Sequence, residues 1–124
     1  MWQFLKRVMP LVFCFGLVLT TILLLMPSYA VPKAFDFYDK AQHGLVFVTL
    51  TLAGLLAFSG RFKAVCLGLC LYGGVMEVLQ STMTTTRHGD VVDWLADSAG
   101  VVVGLGLFLA GSKSVKNATN IIAL

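Results

Sequence analysis

The sequence predicts an all-α fold, a four-helix transmembrane bundle with both termini on the cytoplasmic side, and three observations predict it. Hydrophobic residues make up 58% of the 124-residue chain and charged residues only 12%, against about 25% charged in soluble domains. The scarce charges leave four apolar gaps near the roughly 20 residues that cross about 30 Å of hydrocarbon. Those gaps are continuous rather than alternating every second residue, which selects helices over barrel strands. Nine Lys and Arg with six Asp and Glu are too few to cover a soluble domain this small. The same shortage argues against a nucleic-acid binder, and so few charges beside so many apolar residues argue against a disordered chain.

The first helix is expected over about 8–26, because no charge intervenes between Arg7 and Lys33. Lys6-Arg7 followed by an apolar run and Ser28-Tyr29-Ala30 also has the outline of a signal peptide. The run from Val8 to Met26 is 19 residues, longer than the roughly 7–15 of a signal segment, so a retained helix is expected. The second helix is placed at about 41–60, where His43 is the sole titratable group. The third, about 64–82, is interrupted by Glu77, and the fourth, about 94–111, by Asp97. No repeat, low-complexity linker or second domain is evident, so residues 1–124 read as one membrane domain.

Basic residues in short loops orient such a bundle. With the N-terminus cytoplasmic, Lys6, Arg7, Arg61, Lys63, Lys113 and Lys116 lie inside, and only Lys33, Lys40 and Arg87 lie outside. All six acids then gather toward the outer half: Asp36, Asp39, Glu77, Asp90, Asp93 and Asp97. Tyr29, Phe35, Phe37, Tyr38 and Trp94 suit an outer aromatic belt, and Trp2, Phe58 and Phe62 an inner one.

Helical spacing aligns the polar groups. Asp39 and Lys40 lie four and three residues before His43, on one face. Cys66, Cys70, Gly73, Glu77 and Gln80 form one stripe on the third helix; Asp90, Asp93, Asp97, Gly100 and Gly104 form another on the fourth. The Gly100–Gly104 pair is a GxxxG, which permits close helix approach in a membrane. An acid facing lipid at mid-membrane costs roughly 2.5–3.5 kcal/mol, so the stripes are expected to face one another. The expectation is a polar pocket between helices two, three and four, opening to the extracytoplasmic side.

These residues resemble the VanZ-like family. The resemblance rests on Asp39-Lys40-x-x-His43, on Gly73-x-x-x-Glu77-x-x-Gln80, and on Arg87 followed by Asp90, Asp93, Asp97, Gly100 and Gly104. It spans about residues 36–106, with Asp97 standing where the family typically has Asn. It implies a small bacterial inner-membrane protein whose namesake is linked to low-level resistance to the glycopeptide teicoplanin.

The residues themselves admit paired roles. Glu77 and His43 are candidate general base or acid, the alternative being hydrogen-bonded helix glue. Gln80 and Asp39 are candidate binding residues beside them. Arg87 and Lys40 suit a phosphate, the alternative being pairing with the outer acids. Asp90 and Asp93 are binding candidates or caps of the fourth helix, and Asp97 completes the binding set. His43, Glu77, Asp90, Asp93 and Asp97 provide enough ligands for a divalent ion, and oxygen-rich sites suit Mg or Mn if the acids converge. No HxxxH, HExxH or Cys-rich spacing selects zinc, and no metal or other cofactor is expected. Cys14, Cys66 and Cys70 read as apolar packing, and Asn117-Ala118-Thr119 as a chance sequon. The partners expected are membrane lipids and an envelope lipid or glycan ligand, and no nucleic acid. The leading expectation is recognition or modification of an envelope lipid or its head group. A proton- or ion-coupled transporter subunit and a structural accessory protein of an envelope complex are the alternatives.

Overall fold

The computed structural model describes residues 1–30 and 39–122; the side chains of Trp2, Asp39 and residues 117–122 lie outside that set. The expectations for Lys33, Phe35, Asp36, Phe37, Tyr38 and the Asp39 carboxylate therefore fall outside the described residues, as does the sequon at 117–119. Four helices follow in order: α1 (Trp2–Leu25), α2 (Asp39–Ala57), α3 (Phe62–Met83) and α4 (Val91–Ile122), with no strand among the described residues. Each is long and apolar enough to cross a membrane, the arrangement of a multi-pass membrane protein.

The boundaries differ from the charge-gap expectation in instructive ways. Helix α1 begins at Trp2, since charge at Lys6 and Arg7 ends an apolar span without ending a helix. Pro10 lies within α1 and removes one backbone donor from its ladder. Helix α2 stops at Ala57, and Gly60, with φ 87°, turns the chain toward α3 in a conformation that L side chains rarely adopt. Helix α4 runs to Ile122 rather than 111, because Gly111 is followed by Ser112-Lys113-Ser114-Val115-Lys116, which continues the helix beyond the apolar stretch.

The exterior, more than the interior, departs from that of a soluble domain. The most buried large side chains include Thr51 and Asp97 beside Phe47, Leu55 and Val101, whereas Leu11, Phe15, Leu67, Leu71, Leu95 and Val102 point outward. Such an apolar exterior matches lipid as solvent. Helices α2 and α4 make the most extensive contact, and α2 also touches α1 and α3. Gly100 and Gly104 permit this closeness. A Cβ at Gly100 would overlap the Gly44 carbonyl oxygen, and one at Gly104 would lie 2.8 Å from Thr51 Cβ. The expected GxxxG seam is thus the α2–α4 contact.

Polar bonds fasten the remaining helices. Gln80 Nε2 donates to the Leu24 carbonyl at 2.8 Å, and Tyr72 donates to the Leu17 carbonyl at 3.2 Å, tying α3 to α1. Thr21 Oγ1 and Tyr72 Oη lie 2.8 Å apart. Trp94 Nε1 donates to the Cys70 carbonyl at 2.9 Å, tying α4 to α3. The three cysteines are unbridged.

Candidate functional site

The Lys40 end of the bundle, where α2 and α4 begin and α1 and α3 finish, holds the ionisable groups. His43 is one turn into α2, Glu77 is near the end of α3, and Asp97 is in the second turn of α4. The three are 8%, 8% and 0% exposed, and one ligand-capable atom from each lies within 4.8 Å of the others. His43, Glu77 and Asp97, one residue from each polar stripe of α2, α3 and α4, thus come together.

Each group has a distinct setting. His43 Nδ1 faces Asp97 Oδ1 at 3.1 Å; when Asp97 is ionised the ring N–H donates, so the carboxylate orients the imidazole. Asp97 fits because residue 73 is glycine: a Cβ there would come within 3.1 Å of Asp97 Oδ2. Glu77 Oε2 accepts the Asp90 backbone N–H at 2.7 Å, and Ser81 Oγ accepts the Gly89 N–H at 3.0 Å. These two bonds hold the α3–α4 loop over the cluster. The remaining oxygens, Glu77 Oε1 and Asp97 Oδ2, are buried with no hydrogen-bond partner among the described residues.

The outer acids are arranged differently. Asp90 caps α4: its Oδ1 accepts the Val92 N–H at 2.9 Å, and its carbonyl accepts from Asp93 and Trp94. Lys40 Nζ bridges Asp93 at 2.7 Å and Asp90 at 3.3 Å. The Val92 N–H and then Lys40 hold the Asp90 carboxyl below its ordinary range. Lys40, Asp90 and Asp93 are therefore mutually paired, the pairing and capping arrangement weighed as their alternative role.

Arg87 is the contrasting cation. Its Nε is buried and has no hydrogen-bond partner among the described residues. It lines a cavity of about 130 Å³ with Thr20, Leu24, Gln42, His43 and Phe47. Glu77 borders a second groove, of about 340 Å³, with Ser81, Gly89 and Trp94. The cluster thus stands between two openings, one on the α1–α2 side and one on the α3–α4 side. A further cavity, about 360 Å³, is apolar apart from Arg61 and Tyr72 and lies at the opposite end of α3.

Gln80 is placed apart from this cluster. It is buried on α3, with its amide donating to α1 rather than to His43, Glu77 or Asp97. Sequence reasoning missed the contribution of α1, whose Thr20, Leu23 and Leu24 wall the Arg87 cavity. Thr20, beside Thr21, is one of two hydroxyls within an otherwise apolar span, and that was the available signal. It also missed Ser81 and Gly89 as loop fasteners; a Cβ at Gly89 would overlap the Glu77 carbonyl oxygen and Ser81 Oγ.

A scan of family models and comparisons with curated proteins and with solved structures find no match to this chain.

Proposed function

We propose that this protein recognises, and in an enzymatic version modifies, the anionic head group of an envelope lipid. In this reading it is a VanZ-like protein of a bacterial inner membrane, with the Lys40 end facing outward. The observation that carries the reading is Arg87, a guanidinium with a buried, unpartnered Nε beside a cavity shared with His43. Lys40 already holds Asp90 and Asp93, so among the described residues of this end Arg87 is a cation placed to meet a phosphate, whose oxygens suit its planar fork.

A head group held by Arg87 lies next to His43, and the His43–Asp97 pair has the form of an oriented base. In the modifying version His43 or Glu77 carries the proton, and Arg87 stabilises charge on the phosphate. Membrane lipid reaches the site laterally, consistent with the apolar outer surface of α1 and α2.

The test is the lipid that accompanies the protein. Wild type and Arg87→Ala are purified in mild detergent, and bound lipids are identified by native mass spectrometry. Wild type is expected to retain an anionic lipid enriched over the bulk membrane, and Arg87→Ala to lose that enrichment. Equal lipid profiles in the two folded proteins refute the reading.

A further inference from the structure

We infer that His43, Glu77 and Asp97 form a binding site for one divalent transition-metal ion, of the kind represented by Mn²⁺ and Zn²⁺. The inference goes beyond lipid recognition and does not depend on it; with the ion bound, His43 and Glu77 serve as ligands and not as the proton carriers of the modifying version.

Three independent observations point to a cation. The first is convergence: an imidazole and two carboxylates, from three different helices, bring ligand atoms within 4.8 Å of one another. The second is that each carboxylate keeps a buried oxygen, Glu77 Oε1 and Asp97 Oδ2, with no hydrogen-bond partner among the described residues. Buried carboxylate oxygens are normally hydrogen-bonded, paired or metal-bound. Asp97 is fully buried, and Lys40 is held by Asp90 and Asp93 at the surface. The third is charge. Two carboxylates and a neutral imidazole balance one dication, which makes the site electroneutral in a span where an uncompensated acid is costly.

Geometry and chemistry select the class of ion. His43 Nδ1 and Asp97 Oδ1 are 3.1 Å apart, close to the separation of adjacent ligands on an ion with bonds of about 2.1 Å. Adjacent ligands on such an ion are about 3.0–3.4 Å apart, so the atoms, all within 4.8 Å of one another, close by about 1.8 Å at most, a movement within reach of side-chain rotation. A nitrogen ligand disfavours Ca²⁺ and Mg²⁺, which take oxygen, and favours Mn²⁺ or Zn²⁺. Three protein ligands leave coordination positions for water or a ligand oxygen, as in catalytic rather than structural sites. With the ion bound, Glu77 Oε2 still accepts the Asp90 N–H, which fixes the carboxylate from behind as outer partners fix metal ligands elsewhere.

The experiment uses the full chain in detergent, stripped with chelator and titrated with MnCl₂ or ZnCl₂. One equivalent is expected to bind, and a rise in melting temperature is expected to accompany it. His43→Gln, Glu77→Gln and Asp97→Asn should each weaken binding by about tenfold or more. With Mn²⁺, the nitrogen coupling in the electron spin-echo spectrum should vanish in His43→Gln. Should one variant misfold, the wild-type titration, its melting shift and its nitrogen coupling still decide. Three results overturn the site: no binding or melting shift in folded wild type up to about 1 mM metal, full affinity in Asp97→Asn, or loss confined to Asp90→Asn and Asp93→Asn. The last result would place the ion on the surface acids instead.

Discussion

Replacing Gly100 with alanine adds a single methyl group at the closest approach of α2 and α4. Its Cβ would overlap the Gly44 carbonyl oxygen and lie 3.0 Å from Phe47 Cβ. Both obstacles are backbone or the root of a side chain, so no flexible end can swing aside. Restoring ordinary contact requires the two helices to part by about 1 Å at this level. Phe47 and Val101, 1% and 2% exposed, then lose close neighbours. Overpacking of this kind costs about 1–3 kcal/mol. Gly104→Ala meets Thr51 Cβ at 2.8 Å and the Val48 carbonyl oxygen at 3.0 Å, so it acts in the same direction. The double variant should cost less than the sum of the two, because one helix separation relieves both clashes. Gly106 and Gly111 have no atom within 4 Å of an added Cβ, and alanine there should be neutral or stabilising by up to about 1 kcal/mol. Reversible unfolding in mixed micelles, followed by circular dichroism, measures all five proteins alongside wild type. The reasoning fails if Gly100→Ala falls within about 0.5 kcal/mol of Gly106→Ala.

Other outcomes follow from the same contacts. Gln80→Ala removes the amide that reaches the Leu24 carbonyl and should destabilise the bundle by about 1 kcal/mol, measured by the same unfolding; an unchanged midpoint would mean that bond is not made. Asp90 is held below its ordinary carboxyl range by the Val92 N–H and then by Lys40, so its contribution is present above the unfolded value. That contribution is lost as pH falls through the depressed folded value. Asp90→Asn, which keeps a capping oxygen, should flatten the acid limb of stability against pH, and an unaltered limb would contradict this. For orientation, Thr85→Cys and Ser59→Cys lie in the loops at opposite ends of α3. In a background lacking Cys14, Cys66 and Cys70, an impermeant thiol reagent on intact cells should label position 85 and spare 59. The reverse pattern would invert the positive-inside assignment.

Much of this molecule was legible before any coordinates, and the reason lies in its solvent. Lipid penalises charge so strongly that the gaps between Arg7 and Lys33, or between Lys40 and Arg61, mark spans directly. Helical periodicity then placed Glu77 above Gly73, and Asp97 above Gly100 and Gly104, and these stripes do converge. Helix ends were less legible, because charge ends a span without ending a helix; α1 continues through Lys6-Arg7, and α4 through Lys113 and Lys116. Asp90 and Asp93 both had the chemistry of a cap, and only the Val92 N–H bond distinguishes them. Gln80 shares the Glu77 stripe, yet about one turn further along α3 its amide meets the Leu24 carbonyl of α1. Spacing along one helix assigns a face. It does not say which of two neighbouring helices a long side chain will meet.

The Glu77 carboxylate is divided between two parts of the molecule. One oxygen takes the Asp90 N–H, at the residue that also caps α4 and bonds Lys40; the other is buried with no hydrogen-bond partner among the described residues. A single rigid group therefore spans the interior and the rim. Anything that pulls its inner oxygen rotates the outer one, and with it the peptide from which α4 starts. The loop at 84–90 then serves as an external gauge of events several ångströms deeper. A fluorophore on that loop would respond to a ligand it never touches.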